Sequence, residues 1–422
     1  MNLAVIGSGG REHAICFKLR QSKRLKKLIC IPGNGGTEEL AENIKEDISN
    51  FEAIYNILKN KKIDLVIVGP EQPLVDGIVD YLKKKSIKVF GPDKFSSQLE
   101  GSKAFMKDLC KKNNIPTAKY GVFNNINKAK KFLDEKNLPI VVKADGLAAG
   151  KGVTICNNLE DAYKQTKEIL DGKFKSSKKV VLEEFLEGEE LSYFVLVDKN
   201  SYTFFGSAQD HKKVGEGDIG PNTGGMGAYS PATILNKDLE TKIKKKIIEP
   251  TLNGIKNLNH SYTGFLYAGL MIKNNEPYLI EYNVRMGDPE CQTLMMRLDS
   301  DLIEIFDLAA KNELNNFKIN WNVRSCMTIV LCSKGYPGNY KKDNEINNLN
   351  LVTQDESNQI FHAGTYLKDN KIFSNGGRVL NITSMSKDLG EARNRSLENL
   401  KKINWQFGFF RRDIGWRAID KK

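Results

Sequence analysis

The sequence predicts an α/β chain that opens with a doubly wound parallel sheet, and three observations carry the prediction. Short β-branched runs alternate with helical stretches over residues 1 to about 100, the pattern of parallel strands joined by crossover helices. Glycine-rich turns, Gly7-Ser8-Gly9-Gly10, Pro32-Gly33-Asn34-Gly35-Gly36 and Gly69-Pro70-Glu71, follow three of those runs, at the carboxyl ends of strands where such sheets bind ligands. Farther on, Ile140-Val-Val-Lys143-Ala-Asp-Gly146-Leu-Ala-Ala-Gly150-Lys151-Gly152 runs a β-branched stretch into a loop with three glycines and a second lysine. Val153-Thr-Ile-Cys156 then reads as a returning strand, so the loop tips a hairpin.

The elements follow in order. Strands are expected over residues 3–6, 28–31, 64–68 and 88–90, and helices over about 12–21, 51–58 and 75–84. Residues 101–117 read as a helix and a break at Pro116, since proline cannot continue a helical hydrogen-bond ladder. A small α/β unit runs to about residue 190, carrying the lysine-glycine hairpin and the acidic strand end Val180-Val-Leu-Glu183-Glu184-Phe185-Leu186. A larger strand-rich body continues to about residue 325, interrupted by a loop over 210–231. Cys326-Met-Thr-Ile-Val-Leu331 then opens a C-terminal unit with glycine turns at Gly335, Gly338, Gly364 and Gly376-Gly377. The expected division is 1–101, 102–325 with a subdomain at 118–190 inserted in it, and 326–422.

At 422 residues, 40% of them hydrophobic, the chain is long enough for about three domains of roughly 100–200 residues each. No run of about 18 apolar residues occurs, and Met1 leads straight into the first strand-like run, so a soluble, cytoplasmic protein without signal or transit peptide is expected. Seven scattered cysteines, never in a Cys-x-x-Cys pair, read as reduced structural thiols. A formal charge of +12 and a pI near 9.1 raise the question of nucleic acid, because clustered Lys and Arg neutralise phosphates. The basic runs, Lys83-Lys84-Lys85, Lys111-Lys112, Lys178-Lys179 and Lys244-Lys245-Lys246, lie apart. Neither a nucleic-acid nor a membrane partner is therefore expected, and the field favours acidic phosphorylated substrates.

Three motifs carry chemistry. In the hairpin, Lys143 reaches a phosphate as a point charge while Gly146, Gly150 and Gly152 let backbone amides approach it closely. This is not a Walker loop: three residues, not four, separate Gly146 from Gly150, and Gly152 stands where Ser or Thr would follow Lys151. A dinucleotide fingerprint after the first strand fails because Glu12 occupies the third glycine position, although glycines at a helix N-terminus still suit a lone phosphate. In Leu279-Ile-Glu281-Tyr-Asn283-Val-Arg285, strand alternation puts Glu281, Asn283 and Arg285 on one face. A carboxylate and an amide oxygen two residues apart can hold Mg²⁺ that also takes nucleotide phosphates, and Arg285 can neutralise charge during phosphoryl transfer. Alone, the triplet fits a solvated polar strand face equally well; the acidic turn Met286-Gly287-Asp288-Pro289-Glu290 after it favours a site. At the third motif, backbone groups of Glu184, Phe185 and Leu186 can pair with an adenine edge, and Glu190 can accept from ribose hydroxyls. Lys103, opening a helix, is a further phosphate contact; each of these fits an ordinary exposed polar group equally well. Asp210-His211-Lys212-Lys213 and Gly220-Pro-Asn222-Thr223-Gly224-Gly225-Met226-Gly227 read as a substrate-contacting loop. His13, His211, His260 and His362 show no metal spacing.

With the lysine-glycine hairpin, the acidic strand end over 180–186 and the Glu281-x-Asn283-x-Arg285 strand in that order along the chain, the sequence resembles ATP-grasp enzymes. Gly7-Ser-Gly-Gly-Arg-Glu-His13, Pro32-Gly-Asn-Gly-Gly-Thr37, Val68-Gly-Pro-Glu71, Leu99-Glu-Gly-Ser-Lys103 and Asp210-His-Lys212 narrow the likeness. So do residues 143–152, 220–231 and 283–290, with His362-Ala-Gly-Thr365, Asn375-Gly-Gly-Arg378 and Asp413-Ile-Gly-Trp416. Together they resemble the phosphoribosylamine–glycine ligase family, the glycinamide ribonucleotide synthetases of purine biosynthesis. The likeness spans the chain; Ser8, Gly35 and Met286 depart from the expected pattern without touching a charged position. It implies an N-terminal doubly wound domain, an ATP-grasp core with a small mobile lid, and a C-terminal α+β domain, in a monofunctional ligase ending near Trp416.

The resemblance also implies a reaction: ATP, glycine and 5-phosphoribosylamine give glycinamide ribonucleotide, ADP and phosphate by way of glycyl phosphate, with Mg²⁺ or Mn²⁺ as the metal. It places Lys143, Arg285 and Asp210 at the reacting groups and Glu281 and Asn283 on the metal. ATP would meet Lys103, Lys143, Gly146, Gly150, Lys151, Gly152, Glu183, Glu184, Phe185, Leu186 and Glu190. Glycine and the sugar phosphate would meet Gly9, Gly10, Glu71, Asn222, Thr223, Gly224, Gly225, Met226, Gly227 and Arg285. A monomer is expected, with a dimer the alternative. Another ATP-grasp ligase or carboxylase of purine synthesis would differ only in its substrate loops, and a nucleotide sensor without turnover would not need the metal pair.

Overall fold

The computed structural model describes residues 1–148, 152–174, 178–315 and 317–420. Among these, strands Asn2–Gly7, Lys27–Pro32, Glu42–Asn43, Leu65–Val68 and Val89–Phe90 form a parallel sheet. Numbered in chain order, they lie 3-2-1-4-5, so the chain starts in the middle and winds outward both ways. The crevice of such a sheet opens where the winding reverses, between the first and fourth strands, and the turns at Gly7 and at Gly69-Pro70-Glu71 leave those two strands. The two-residue edge strand Glu42–Asn43 is too short for its pattern to be read. The helix expected over 75–84 is two, Glu71–Asp76 and Ile78–Lys84, broken where Gly77 takes φ +100°, a conformation that costs an L side chain. Residues 101–117 also differ: helices Gln98–Gly101 and Lys103–Lys112 meet at Ser102, whose hydroxyl caps the second by accepting from the Phe105 amide.

Strands Tyr120–Phe123, Val180–Glu184, Ile140–Ala144 and Val153–Cys156 lie side by side in an antiparallel sheet. Alternation decides what each face does. Ile140, Val142, Ala144, Val180 and Leu182 point to helices Ile126–Asp134 and Leu159–Leu170, packing on Ala129, Leu133, Ala162 and Ile169 in a separate small core. Val141, Lys143 and Glu183 therefore face the other way, into a cleft of about 590 Å³.

Eight further strands lie side by side in the largest sheet. Glu276–Asn283, Gly264–Lys273, Glu189–Val197, Tyr202–Asp210, Gly227–Ser230, Ser325–Ser333, Arg378–Ser386 and Asn358–His362 are neighbours in that order. Gly227–Ser230 pairs antiparallel with Ser325–Ser333, Ala228 opposite Thr328, so hydrogen bonding runs unbroken from the central strands into those beyond residue 325. Leu3, Val5 and Cys16 of the N-terminal part share a core with Phe194, Phe205, Leu294 and Phe306, which fixes the first sheet against the central body. Near the C-terminus, buried Arg411 meets Asp218 Oδ1 at 2.9 Å and Asp413 Oδ1 and Oδ2 at 2.8 Å each, clamping the hairpin of Lys213–Gly215 and Ile219–Asn222. All seven cysteines are buried and unpaired. Among the described residues, no helix is long and apolar enough to cross a membrane.

Candidate active site

The four-stranded antiparallel sheet contributes Lys143, 5% exposed, whose Nζ lies 2.9 Å from Glu183 Oε2. The same oxygen takes Lys107 Nζ at 3.0 Å, and Lys107, wholly buried, also donates to Thr117 Oγ1 at 2.7 Å. Among the described residues nothing hydrogen-bonds the other oxygen, Glu183 Oε1, although it is buried; a bare buried acceptor suits a ligand's donor. Lys103 Nζ donates to Gly146 O at 3.4 Å, and Asp145 accepts from the Ser102 hydroxyl and the Ala104 amide, both at 3.1 Å. The start of the loop is thus tied to the helix that presents Lys103. Burial pulls Lys103 below the ordinary lysine range against the attraction of Glu281. A Cβ at Gly152 would sit 2.6 Å from that of Ala148, so only glycine closes the loop there. Gly150 and Lys151 lie outside the described residues. Glu184 turns its carboxylate to the Lys119 amide at 2.9 Å, while Phe185 and Leu186 follow in the cleft wall.

Across the cleft, Lys212 Nζ sits 3.2 Å from Glu190 Oε2 and 3.7 Å from Glu281 Oε1. Burial works against its charge, but Glu190, Asp210 and Glu281 outweigh it and hold the ammonium above its usual range. Burial pushes the Asp210 carboxyl well up, opposed by Lys212 and reinforced by Glu290, Glu190 and Glu281. At Glu281, Lys212, Lys103, Lys143 and Arg285 together outweigh burial and keep the carboxylate ionised. Glu281 and Asn283 both line the cleft, and among the described residues no three His, Cys, Asp or Glu side chains gather as a metal cage. One ionised carboxylate plus one amide oxygen fits Mg²⁺, which keeps waters and binds substrate phosphates, and does not fit an all-protein zinc site.

Arg285 departs from the expected geometry. Its strand ends at Asn283, and the register slips opposite Gly269 and Leu270, leaving Ile280 as the extra residue. Arg285 follows in the bend, its Nη2 2.8 Å from Glu100 Oε1, its Nε 3.2 Å from Glu71 Oε2, and its Nη1 donating to Met286 O at 3.2 Å. Burial disfavours the guanidinium, yet Glu100 and Glu71 outweigh it and raise its pKa. Arg285 chiefly, helped by Arg11, holds Glu71 down to about 2 against burial. Burial pushes Glu100 up to about 7 although Arg285 pulls the other way.

The expected glycine contacts divide. Gly9 lines the cleft, but its amide donates to Glu12 Oε2 at 2.6 Å, so a carboxylate of the chain itself occupies the helix N-terminus that suited a phosphate. Glu12 fits there because Gly69 leaves room: a Cβ on it would lie 1.9 Å from Glu12 Oε1. Gly10 faces Asn381 and Gln292 and does not line the cleft. Asn222, Thr223 and Gly224 do line it, with Gly224 held by Arg378 Nη1 at 2.7 Å and by Tyr336 Oη at 3.0 Å. Gly225 backs onto Pro289, Met226 is wholly buried, and Gly227 starts a core strand. Glycine content could not say which of these face a ligand and which face packed backbone. Sequence reasoning assigned no site role to Glu100, Lys107 or Arg378, and took Lys212 only as part of the substrate-contacting loop. Lys212 and Glu100 stood inside quoted motifs, but nothing local marked their distant partners.

Comparison with known proteins follows the same order along the chain. Residues 1–100, 101–291 and 326–417 match the N domain, the ATP-grasp (A) domain and the C domain of phosphoribosylglycinamide synthetase. A phosphoribosylamine–glycine ligase of Brucella melitensis is 47% identical over 423 residues, covering 100% of this chain and 99% of its own. One of Mesorhizobium japonicum is 48% identical with the same coverage. The crystal structure of phosphoribosylamine–glycine ligase from Thermotoga maritima matches with a TM-score of 0.84 at 32% identity, over 98% of this chain and 100% of that one.

Proposed function

This chain belongs to the phosphoribosylamine–glycine ligase family and catalyses the ATP-dependent ligation of glycine to 5-phosphoribosylamine in purine biosynthesis, and from that premise we propose that the reaction runs through glycyl phosphate in this cleft. The glycine carboxylate attacks the γ-phosphorus of ATP, forming the acyl–phosphate bond as the bond to ADP breaks. The amine of 5-phosphoribosylamine then attacks the acyl carbon, phosphate leaves, and the nitrogen sheds a proton.

Little acid–base work is needed, so the protein contributes position and charge. Lys143 and Lys103 meet the nucleotide phosphates, and Arg285 meets charge on the transferred group. Glu281 and Asn283 would hold Mg²⁺, with Mn²⁺ suited to the same oxygen donors; when bound, the ion neutralises phosphate oxygens as a Lewis acid. The bare Glu183 oxygen and the backbone over 184–186 receive the adenine, and Glu190 the ribose. Asp210, in its ionised form, takes the amine's proton. Gly9 and Glu71 stand on the sugar-phosphate side, and Asn222, Thr223 and Gly224 near glycine. Glycyl phosphate is labile in water, so residues 118–190, the moving part of the 1–101, 102–325 and 326–422 division, would close the hairpin over the cleft. A monomer has all of these groups in one chain.

One observation carries the reading: two lysines, a carboxylate–amide pair and an arginine, drawn from three separate stretches of sequence, line one cleft. The test is mass-spectrometric detection of glycinamide ribonucleotide with Mg·ATP, glycine and fresh 5-phosphoribosylamine, each omitted in turn. Product requiring all three is expected; ATP consumed without that product would mean that the acceptor is wrong. Trapping with hydroxylamine should convert glycyl phosphate to the hydroxamate, and no hydroxamate during turnover would remove the intermediate.

A further inference from the structure

We propose that Glu100 is a positioning residue that sets the guanidinium of Arg285 for phosphoryl transfer, an inference that rests on the role given to Arg285 above. Glu100 ends far from Arg285 in sequence, on the short helix Gln98–Gly101 where the first sheet joins the core. Its two carboxylate oxygens divide the work. Oε2 accepts from the Val284 amide at 2.8 Å and Oε1 from Arg285 Nη2 at 2.8 Å. One side chain therefore fixes both the peptide where the metal-side strand ends and the group that projects from it.

The other partners of Arg285 do not do this. Glu71 lies 3.2 Å from Nε, with a side chain 31% exposed against 8% for Glu100, and Nε makes no aligned hydrogen bond. The more exposed Glu71 contact can yield to a substrate; Glu100, though it lines the cleft, is far less exposed. Arg11 Nη1 donates to the same Met286 carbonyl as Arg285, at 3.2 Å in each case, so two guanidiniums crowd one acceptor. Like charges repel, and without Glu100 the repulsion from Arg11 would turn Arg285 out of line. Glu100 touches neither the metal-holding pair nor the lysines, so its loss should alter the chemical step and spare nucleotide binding.

The test is steady-state kinetics of the full chain, following glycine- and phosphoribosylamine-dependent ADP release, for Glu100→Gln, Arg285→Lys and the double variant. Glu100→Gln should lower kcat on the order of 10- to 100-fold while KM for ATP stays at the parental value. The double variant should be no slower than Arg285→Lys alone. Parental kcat in Glu100→Gln beside a slow Arg285→Lys overturns the positioning role and leaves the reading of Arg285 standing. Parental kcat in Arg285→Lys sinks that reading and this proposal with it. Losses that add in full in the double variant mean separate action and also overturn it. If Glu100→Gln fails to fold by far-UV circular dichroism, Glu100→Asp, which keeps the charge and shortens the reach, takes its place under the same outcomes.

Discussion

At the scale of single residues, two cations share Glu183 Oε2 and only one of them faces the cleft. Lys143→Met would leave Lys107 to neutralise Glu183, so the fold should hold while kcat/KM for ATP falls about 100-fold; unchanged ATP kinetics would remove Lys143 as a phosphate clamp. Glu281→Ala should abolish Mg-dependent turnover with an unaltered far-UV spectrum, and a near-normal rate would sink the metal assignment. His362 is a different case. Buried beside His13, with its ring on Thr365 Oγ1 at 3.1 Å, it is pushed down to about 4. Unfolded, it titrates near 6.5. The unfolded chain then binds more protons, so this stabilisation is complete above about pH 6.5 and is lost as pH falls toward 4, on the order of 3 kcal/mol in all. Melting temperature should drop across that window and His362→Asn should flatten the decline; parallel curves would contradict it. Lys143, Glu281 and Asn283 could be placed on one side of a strand from spacing alone, and all three line the cleft. Glu100 and Lys107 could not be read this way, because their meaning lies in a partner 185 or 76 residues away.

At the scale of elements, the hairpin strands were readable because period-two alternation states which face is apolar. Lys143 between Val142 and Ala144 had to point away from the small core. The break at Gly77 was not readable, since the apolar spacing continues through it. Residues 225–227 were grouped with the site because glycine marks close approach without naming what approaches, and here the neighbours are Pro289, the core and strand backbone. Gly152 offers a check on the lid: Gly152→Val must push against Ala148 and displace the loop that Lys103 contacts. KM for ATP should rise about tenfold with little change in melting temperature, and unchanged ATP saturation would mean that the loop is not shaped for phosphate.

At the scale of the whole molecule, the C-terminal strands and the Arg411 clamp complete the site instead of decorating it. Arg411→Met would leave Asp413 with the Gly217 amide but no cation, and Asp218 with Arg417 and the Trp416 indole. Breaking a buried pair from one side costs about 3 kcal/mol or more, which urea denaturation would register; a shift within error would mean that the clamp is solvent-screened. Composition marked a division near residue 325, yet the ladder from Gly227–Ser230 to Ser325–Ser333 crosses it, because strand pairing between distant segments leaves no local mark. Val323, 94% exposed, stands just before that ladder. A chain severed there would give two fragments, each with a bare strand edge shaped for the other. Enzyme activity should return only when the two are produced together.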